Sequence, residues 1–309
     1  MKAVAIRAFG GPEKLAVMEM PDPKAARGEI LIRTVAAGVN PVDWKMREGG
    51  LASLPHAFPL IPGWDVAGVV EDLGEGCHRF RRGERVFAYA RKPFVQWGTY
   101  AELVVVPEAD AAAMPPNLLF EEAAAVPCAA LTAMQALAKA GVRKDTKLLI
   151  LNGSGGVGHF ALQLARVAGA RTLATTGPKN QEFVMSQGAE AGIDHDRDDL
   201  VASVNARFDG GADAVIDAIG GAALERALHA VKPGGIVVSV AGATAAANGI
   251  RFERLNSRPS GDELEILAAH AQRKTLRPHV QTIFRLDEAA KAQHESRQGH
   301  VRGKLVLAL

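Results

Sequence analysis

The sequence predicts an α/β chain, with a strand-rich first part followed by a doubly wound parallel sheet carrying helices on both faces. Three observations predict it. From residue 148 to about 240, short apolar runs alternate with helical patterns, the spacing of parallel strands joined by crossover helices. At the first of these junctions, "LLILNGSGGVGHFALQLARVAGA" (148–170) passes from an apolar run, through four glycines in six residues, into a helical face. Before residue 121, by contrast, β-type runs are separated by Gly and Pro signals rather than by helices.

The elements follow in order. In the first part, "EILIRTVAAGV" (29–39), "DVAGVVEDLG" (65–74), "ERVFAYA" (84–90) and "GTYAELVVVP" (98–107) read as strands. Leu148 to Leu151 is a buried strand. A helix begins near Val157, because Phe160, Ala161, Leu164, Ala165 and Ala168 recur at three- and four-residue spacing. The second strand is Arg171 to Thr176, followed by a helix from Gln181 to Gln187. A short third strand spans 191–195, with a helix from Leu200 to Phe208. The fourth strand is "ADAVIDAIG" (212–220), with a helix from Leu224 to Val231 that Pro233 and Gly234 break before "GIVVSVAG" (235–242). Ala243 to Gly249 reads as a loose loop. The tail "HVRGKLVLAL" (300–309) ends in a strand that cannot extend a parallel sheet without a crossover, so it is expected to return to the first part.

Gly153, Gly155 and Gly158 fit G-x-G-x-x-G at a strand-to-helix junction. Glycine permits the tight turn and lets backbone N–H groups approach a diphosphate, while the helix N-terminus supplies free donors and partial positive charge. A plain tight turn is the alternative, but the flanking strand and helix are the context the motif requires. Gly153, Ser154, Gly155, Gly156, Val157 and Gly158 are therefore the candidate cradle. The end of the second strand selects the cofactor. An NAD-type site places an acid there, about 20 residues after the glycines, for the ribose 2′-OH. This chain has Thr175-Thr176-Gly177-Pro178-Lys179-Asn180, with no acid before Glu182. Hydroxyls and a lysine suit a 2′-phosphate, which favours NADP(H). Lys179 also reads as an ordinary solvated lysine, and His195 either reaches the adenosine phosphate or is a bystander.

The 309 residues allow two domains, and the formal net charge is +2. No basic stretch is interleaved with aromatics, which argues against a nucleic-acid surface. Arg79, Arg81, Arg82 and Arg85 read as a solvated loop. No run approaches the ~20 apolar residues of a membrane span, and the N-terminus lacks a signal-peptide core. A cytoplasmic protein without a membrane or nucleic-acid partner is expected. Cys77 and Cys128 are too few for a disulfide framework or a structural zinc knuckle.

Several motifs occur in register along the whole chain: "GVNPVDWKMREG" (38–49), "PLIPGWDVAGVV" (59–70), "GTYAEL" (98–103), "AAAVPCAALTAMQAL" (123–137), "NGSGGVG" (152–158) and "GHVRGKLVL" (299–307). Together they resemble the medium-chain dehydrogenase/reductase superfamily, in its zinc-independent quinone oxidoreductase and enone reductase branch. The resemblance implies a GroES-like domain of residues 1–121 and 268–309, a Rossmann domain of residues 122–267, and a homodimer. Two domains with a cleft between them would set a substrate against the nicotinamide. Zinc alcohol dehydrogenases of the superfamily carry Cys-His where this chain has Asn40-Pro41 and Gly-His-Glu where it has Gly63-Trp64-Asp65, with a third ligand near Cys128. Asn and Trp cannot replace thiolate or imidazole donors.

Without a Lewis acid, alcohol oxidation is unfavoured. A quinone needs less help, because hydride arrival gives a stabilised phenolate. An enone takes hydride at its β-carbon while hydrogen bonds stabilise the enolate oxygen. The resemblance thus implies an NADPH-dependent reductase acting on a quinone or α,β-unsaturated carbonyl, by cofactor positioning. A reductase for a narrower enone such as an acyl thioester, or a protein using NADPH as a structural or sensory ligand, stands as the alternative. By the same resemblance Asn40 and Asp43 lie beside the nicotinamide ribose and substrate, and Thr132 approaches the nicotinamide. Asn40 either bonds the substrate oxygen or ribose, or stabilises the turn before Pro41. Lys45 and Tyr89 are candidate proton donors or simply structural, and Trp64 is an apolar wall or core residue.

Overall fold

The computed structural model describes residues 1–242 and 249–309, so the loop expected at Ala243 to Gly249 falls, apart from Gly249, outside the described residues. The chain forms two compact units, Met1–Leu131 with Arg258–Leu309, and Thr132–Ser257. No helix among the described residues is long and apolar enough to cross a membrane.

The first unit is built around one long strand, Glu29–Val39. On one edge it pairs antiparallel with Asp65–Leu73, which pairs in turn with Arg85–Tyr89 and then Ala111–Ala113. Its other edge is shared. Leu103–Pro107 covers Glu29 to Arg33, and the tail strand Lys304–Ala308 covers Ala36 to Val39. The tail returns to the sheet of the first part, where it also pairs parallel with Val280–Arg285, the crossover between them being the helix Ala289–Gln298. Its Leu305, Val306 and Leu307 are buried, and burying three such side chains contributes several kcal/mol, at about 25 cal/mol per Å² of apolar surface. Ile30, Ile32, Val66, Val70, Val86, Val104 and Val106 form the sheet's apolar face. The helix Pro41–Arg47 starts where the long strand ends, with Pro41 in its first turn, where a missing N–H costs nothing.

The second unit is a six-stranded, all-parallel sheet in the order Ala191–Asp194, Arg171–Thr176, Lys147–Leu151, Ala212–Asp217, Val231–Ser239, Arg251–Arg254. In the unit's own strand sequence this is 3-2-1-4-5-6, the Rossmann order, whose reversal lies between the first and fourth strands. Both faces are covered, so Leu148 to Leu151 are all buried and the strand reads as a continuous apolar run.

Several elements differ from the sequence expectation. The strand expected over 98–107 is confined to Leu103–Pro107, and the one expected over 235–242 runs over Val231–Ser239. The helix expected at Leu200 to Phe208 ends at Asn205, with Phe208 turned into the core. The fourth strand stops at Asp217, because the Asp217 carboxylate accepts from the N–H groups of Ile219 and Gly220 and turns the chain out of the sheet. The next helix is Gly221–Leu228, not 224–231, and Pro233-Gly234 does not break it. That dipeptide lies inside the strand Val231–Ser239, at a register irregularity where Lys232 to Gly234 are exposed. There the proline owes the ladder no N–H.

Candidate cofactor loop and buried polar cluster

In the second unit, the turn after Lys147–Leu151 is made by Asn152, which adopts φ 60°. Its N–H donates to Thr175 Oγ1 at 2.9 Å, and the Gly153 N–H donates to the Thr175 carbonyl at 2.9 Å. The glycines have distinct reasons. A Cβ on Gly158 would stand 2.1 Å from the Asn152 carbonyl oxygen, and one on Gly153 would stand 2.5 Å from Ala174 Cβ. Both are needed for close packing of helix on strand. A Cβ on Gly155 would meet only the end of the Asn152 side chain. Gly155 is the N-cap of the helix Gly156–Val167, and no side chain caps it. An uncapped start of a twelve-residue helix, lined by glycine, fits a diphosphate.

The residues at the end of the second strand divide into two groups. Thr175 and Thr176 are buried and brace the loop. Thr176 Oγ1 donates to Ser154 Oγ at 3.1 Å, and Asn180 Nδ2 donates to the same oxygen at 3.4 Å. With its oxygen so engaged, Ser154 keeps its own proton to donate. Lys179 and His195 are exposed, and His195 Nε2 lies 3.6 Å from the Asp196 carboxylate. A cavity of about 470 Å³ opens beside the carboxyl ends of the first three strands, lined by Asn152, Thr175, Ile193, His195, Leu200 and Ile219 among others. That is where open parallel sheets bind ligands.

In the first unit, five elements converge on a buried polar cluster. Asn40, at the end of the long strand, is 4 % exposed, and Asp43 and Asp65 are fully buried. The Asn40 side chain makes no helix cap. Instead its Nδ2 donates to Asp65 Oδ2 at 2.8 Å, and its Oδ1 accepts from Lys304 Nζ at 2.5 Å. Lys304 Nζ also donates to the Val39 carbonyl at 2.8 Å and lies 3.5 Å from Asp65 Oδ2. Asp65 Oδ1 accepts from the Cys128 N–H at 2.7 Å, at the start of the helix Pro127–Lys139. Asp43 Oδ2 accepts from both the Asn40 N–H and the Tyr100 hydroxyl, each at 2.8 Å, while its Oδ1 is buried without a partner.

Burial pushes the Asp43 carboxyl up to about 7, against the two hydrogen bonds that pull it down. Burial also raises Asp65, opposed by the Lys304 ammonium and by the Asn40 and Cys128 donors. Every polar contact of Asp65 is a donor, which suits the ionised form.

The cluster thus brings Asn40 and Asp43 together. Tyr89 is buried against Trp64, with ring centroids 6.0 Å apart, and hydrogen-bonds the Cys128 thiol. Thr132 is buried in the helix Pro127–Lys139 and belongs to the other unit. Lys45 stands apart: it is exposed, with Nζ 5.4 Å from the Trp44 ring. Sequence reasoning missed Lys304, Asp65 and Tyr100 as members of this cluster. All three lie in the quoted motifs "GHVRGKLVL", "PLIPGWDVAGVV" and "GTYAEL", but nothing in the spacing says that they meet.

The donor set does not suit zinc. The Asn40 amide is committed, and the Trp64 indole offers no lone pair. The Cys128 thiol is pushed up to about 12, chiefly by burial, and the Lys304 ammonium already occupies the cluster. A second cation there would be repelled.

Family models described as alcohol dehydrogenase GroES-like domain and zinc-binding dehydrogenase match residues 26–116 and 187–307. The NADPH-dependent alkenal/one oxidoreductase of Arabidopsis thaliana chloroplasts is 32% identical over 316 residues, covering 99% of this chain and 79% of its own. The solved quinone oxidoreductase of Coxiella burnetii superposes with a TM-score of 0.91 at 32% identity, over 100% of this chain and 99% of its own. A structure described as an NAD-dependent alcohol dehydrogenase superposes with a TM-score of 0.91 at 31% identity, over 100% of both chains.

Proposed function

The chain belongs to the medium-chain dehydrogenase/reductase superfamily, and from that premise we propose that it is an NADPH-dependent, metal-independent reductase of quinones and α,β-unsaturated carbonyls. The observation that carries this reading is a complete glycine cradle in a chain whose zinc-ligand positions hold Asn40 and Trp64.

In this reading Gly153 to Gly158 and the start of the helix Gly156–Val167 hold the diphosphate. Ser154 and Lys179 hold the 2′-phosphate, and His195 flanks it. Thr175 and Thr176 keep the loop in shape through Asn152 and Ser154. Thr132 contacts the nicotinamide side. When bound, NADPH would supply the hydride that reduces a quinone or adds to the β-carbon of an enone. Asn40 donates to the carbonyl oxygen as negative charge develops there. Asp43 anchors the Asn40 backbone and, near neutral pH, holds a proton. Solvent protonates the product, and Tyr89 and Lys45 are not required as donors. Among the described residues Arg251–Arg254 is an edge strand of the parallel sheet, a ladder on which a second copy can pair, in keeping with a homodimer; a cytoplasmic location is part of the same reading.

The test is NADPH consumption with a panel of small quinones, alkenals and alkenones beside simple aldehydes and alcohols. Turnover of the conjugated acceptors is expected. Turnover confined to saturated aldehydes, or none at all, would sink the assignment.

A further inference from the structure

Lys304 and Arg47 are the fully buried cations among the described residues. Arg47 pairs with its neighbour Glu48. Lys304 reaches across 264 positions of sequence to Asn40. Taking an ammonium and a carboxylate out of water costs several kcal/mol each, and an apolar pair of similar volume would often be more stable. The Lys304–Asp65 pair is thus poorly explained by stability alone.

Its effect on Asn40 is specific. An amide can be turned end for end, exchanging its oxygen and nitrogen. Here one orientation alone satisfies both neighbours, since Oδ1 must face the ammonium and Nδ2 the carboxylate. The first Nδ2 proton goes to Asp65. The second is thereby given a fixed direction, and it has no partner among the described residues. A cation on the amide oxygen also draws electron density from the nitrogen and makes that N–H a stronger donor. The Asn40 N–H to Asp43 and the Val39 carbonyl to Lys304 Nζ hold the backbone on either side.

We propose that Lys304 is a positioning residue, which with Asp65 orients and polarises the Asn40 amide so that its remaining N–H receives an oxyanion on a conjugated substrate, a phenolate or an enolate. The proposal rests on the reductase reading for what that oxyanion is. It fills the role of the missing metal with a fixed charge set one amide group further from the substrate: the cation acts through that amide rather than by direct coordination.

The experiment needs no turnover. The probe is 4-nitrophenol, whose ionisation is followed by absorbance as pH is varied with and without the full-length protein. The wild type is expected to bind the phenolate roughly tenfold more tightly than the phenol, which lowers the ionisation midpoint of the bound probe by about one pH unit. Lys304→Met with Asp65→Asn removes both charges together, leaves no unpaired buried ion, and keeps an acceptor for the Cys128 N–H. This double variant is expected to melt near the wild type and to lose the preference. Asn40→Ala, which keeps the ion pair, is expected to lose it too and serves if the double variant does not fold. A wild type with no phenolate preference overturns the proposal, as does a folded variant that retains it. Failure of the reductase reading looks different: no NADPH oxidation by a wild type whose phenolate preference is intact.

Discussion

Asp43 carries two hydrogen bonds on one oxygen and none on the other, in a fully buried position. Its folded value near 7 lies above that of an exposed carboxyl, so the proton is bound more tightly in the folded state than in the unfolded one. The stabilisation is complete below the unfolded value and is lost as pH rises towards 7, by at most about 1.4 kcal/mol per pH unit. Asp43→Asn should abolish that slope, since its amide oxygen can accept from both Asn40 and Tyr100. Urea unfolding between pH 4 and 8 should show the variant gaining on the wild type as pH rises; parallel curves would place the titration elsewhere. Lys179 makes a second residue-scale prediction. A charged hydrogen bond contributes about 1.5–3 kcal/mol. Lys179→Ala should therefore reduce kcat/KM for NADPH by roughly ten- to hundredfold and leave that for NADH nearly unchanged. An equal loss with both would mean that Lys179 supports the diphosphate or the fold. At this scale, Asn40 was legible because a motif displaces Cys-His there. Lys304 was not, because its meaning comes from a partner 264 residues away and from burial, neither of which spacing encodes.

At the scale of elements, two glycines of one loop make opposite predictions. Gly158→Ala drives a methyl onto backbone, at 2.1 Å from the Asn152 oxygen. It should destabilise the protein by roughly 1–3 kcal/mol, the usual cost of overpacking, and thermal melting measures it. Gly155→Asp meets only a side chain that can turn away, so the variant should fold. It nevertheless adds bulk and negative charge at the uncapped helix start, and calorimetry should find NADPH binding nearly abolished. Wild-type affinity in the folded variant would put the diphosphate elsewhere. The strands of the parallel sheet were readable because each is a buried apolar run closed by a turn signal. Pro233-Gly234 misled because a strand irregularity and a helix stop use the same residues, and only the partner strand distinguishes them. The return of the tail strand to the first part was expected, but its parallel pairing with Val280–Arg285, and which half of Glu29–Val39 it covers, depend on a register that only the folded sheet reveals.

Over the whole molecule, the proposed reductase works without a metal, and the buried Lys304 ammonium beside Asn40 and Asp65 leaves no room for a second cation there. Exhaustive chelation should therefore leave activity intact; stoichiometric zinc in the purified protein, with activity lost on its removal, would contradict this. The likeness to a structure described as an NAD-dependent alcohol dehydrogenase makes the position of hydride arrival the decisive question. The measurement is deuterium tracing: the chelated protein reduces an alkenone in ordinary water with NADPH carrying deuterium at the transferable position, and the product is read by NMR. A saturated ketone with one deuterium on the former β-carbon and a solvent proton on the α-carbon is expected. An allylic alcohol with deuterium on the carbonyl carbon would contradict it.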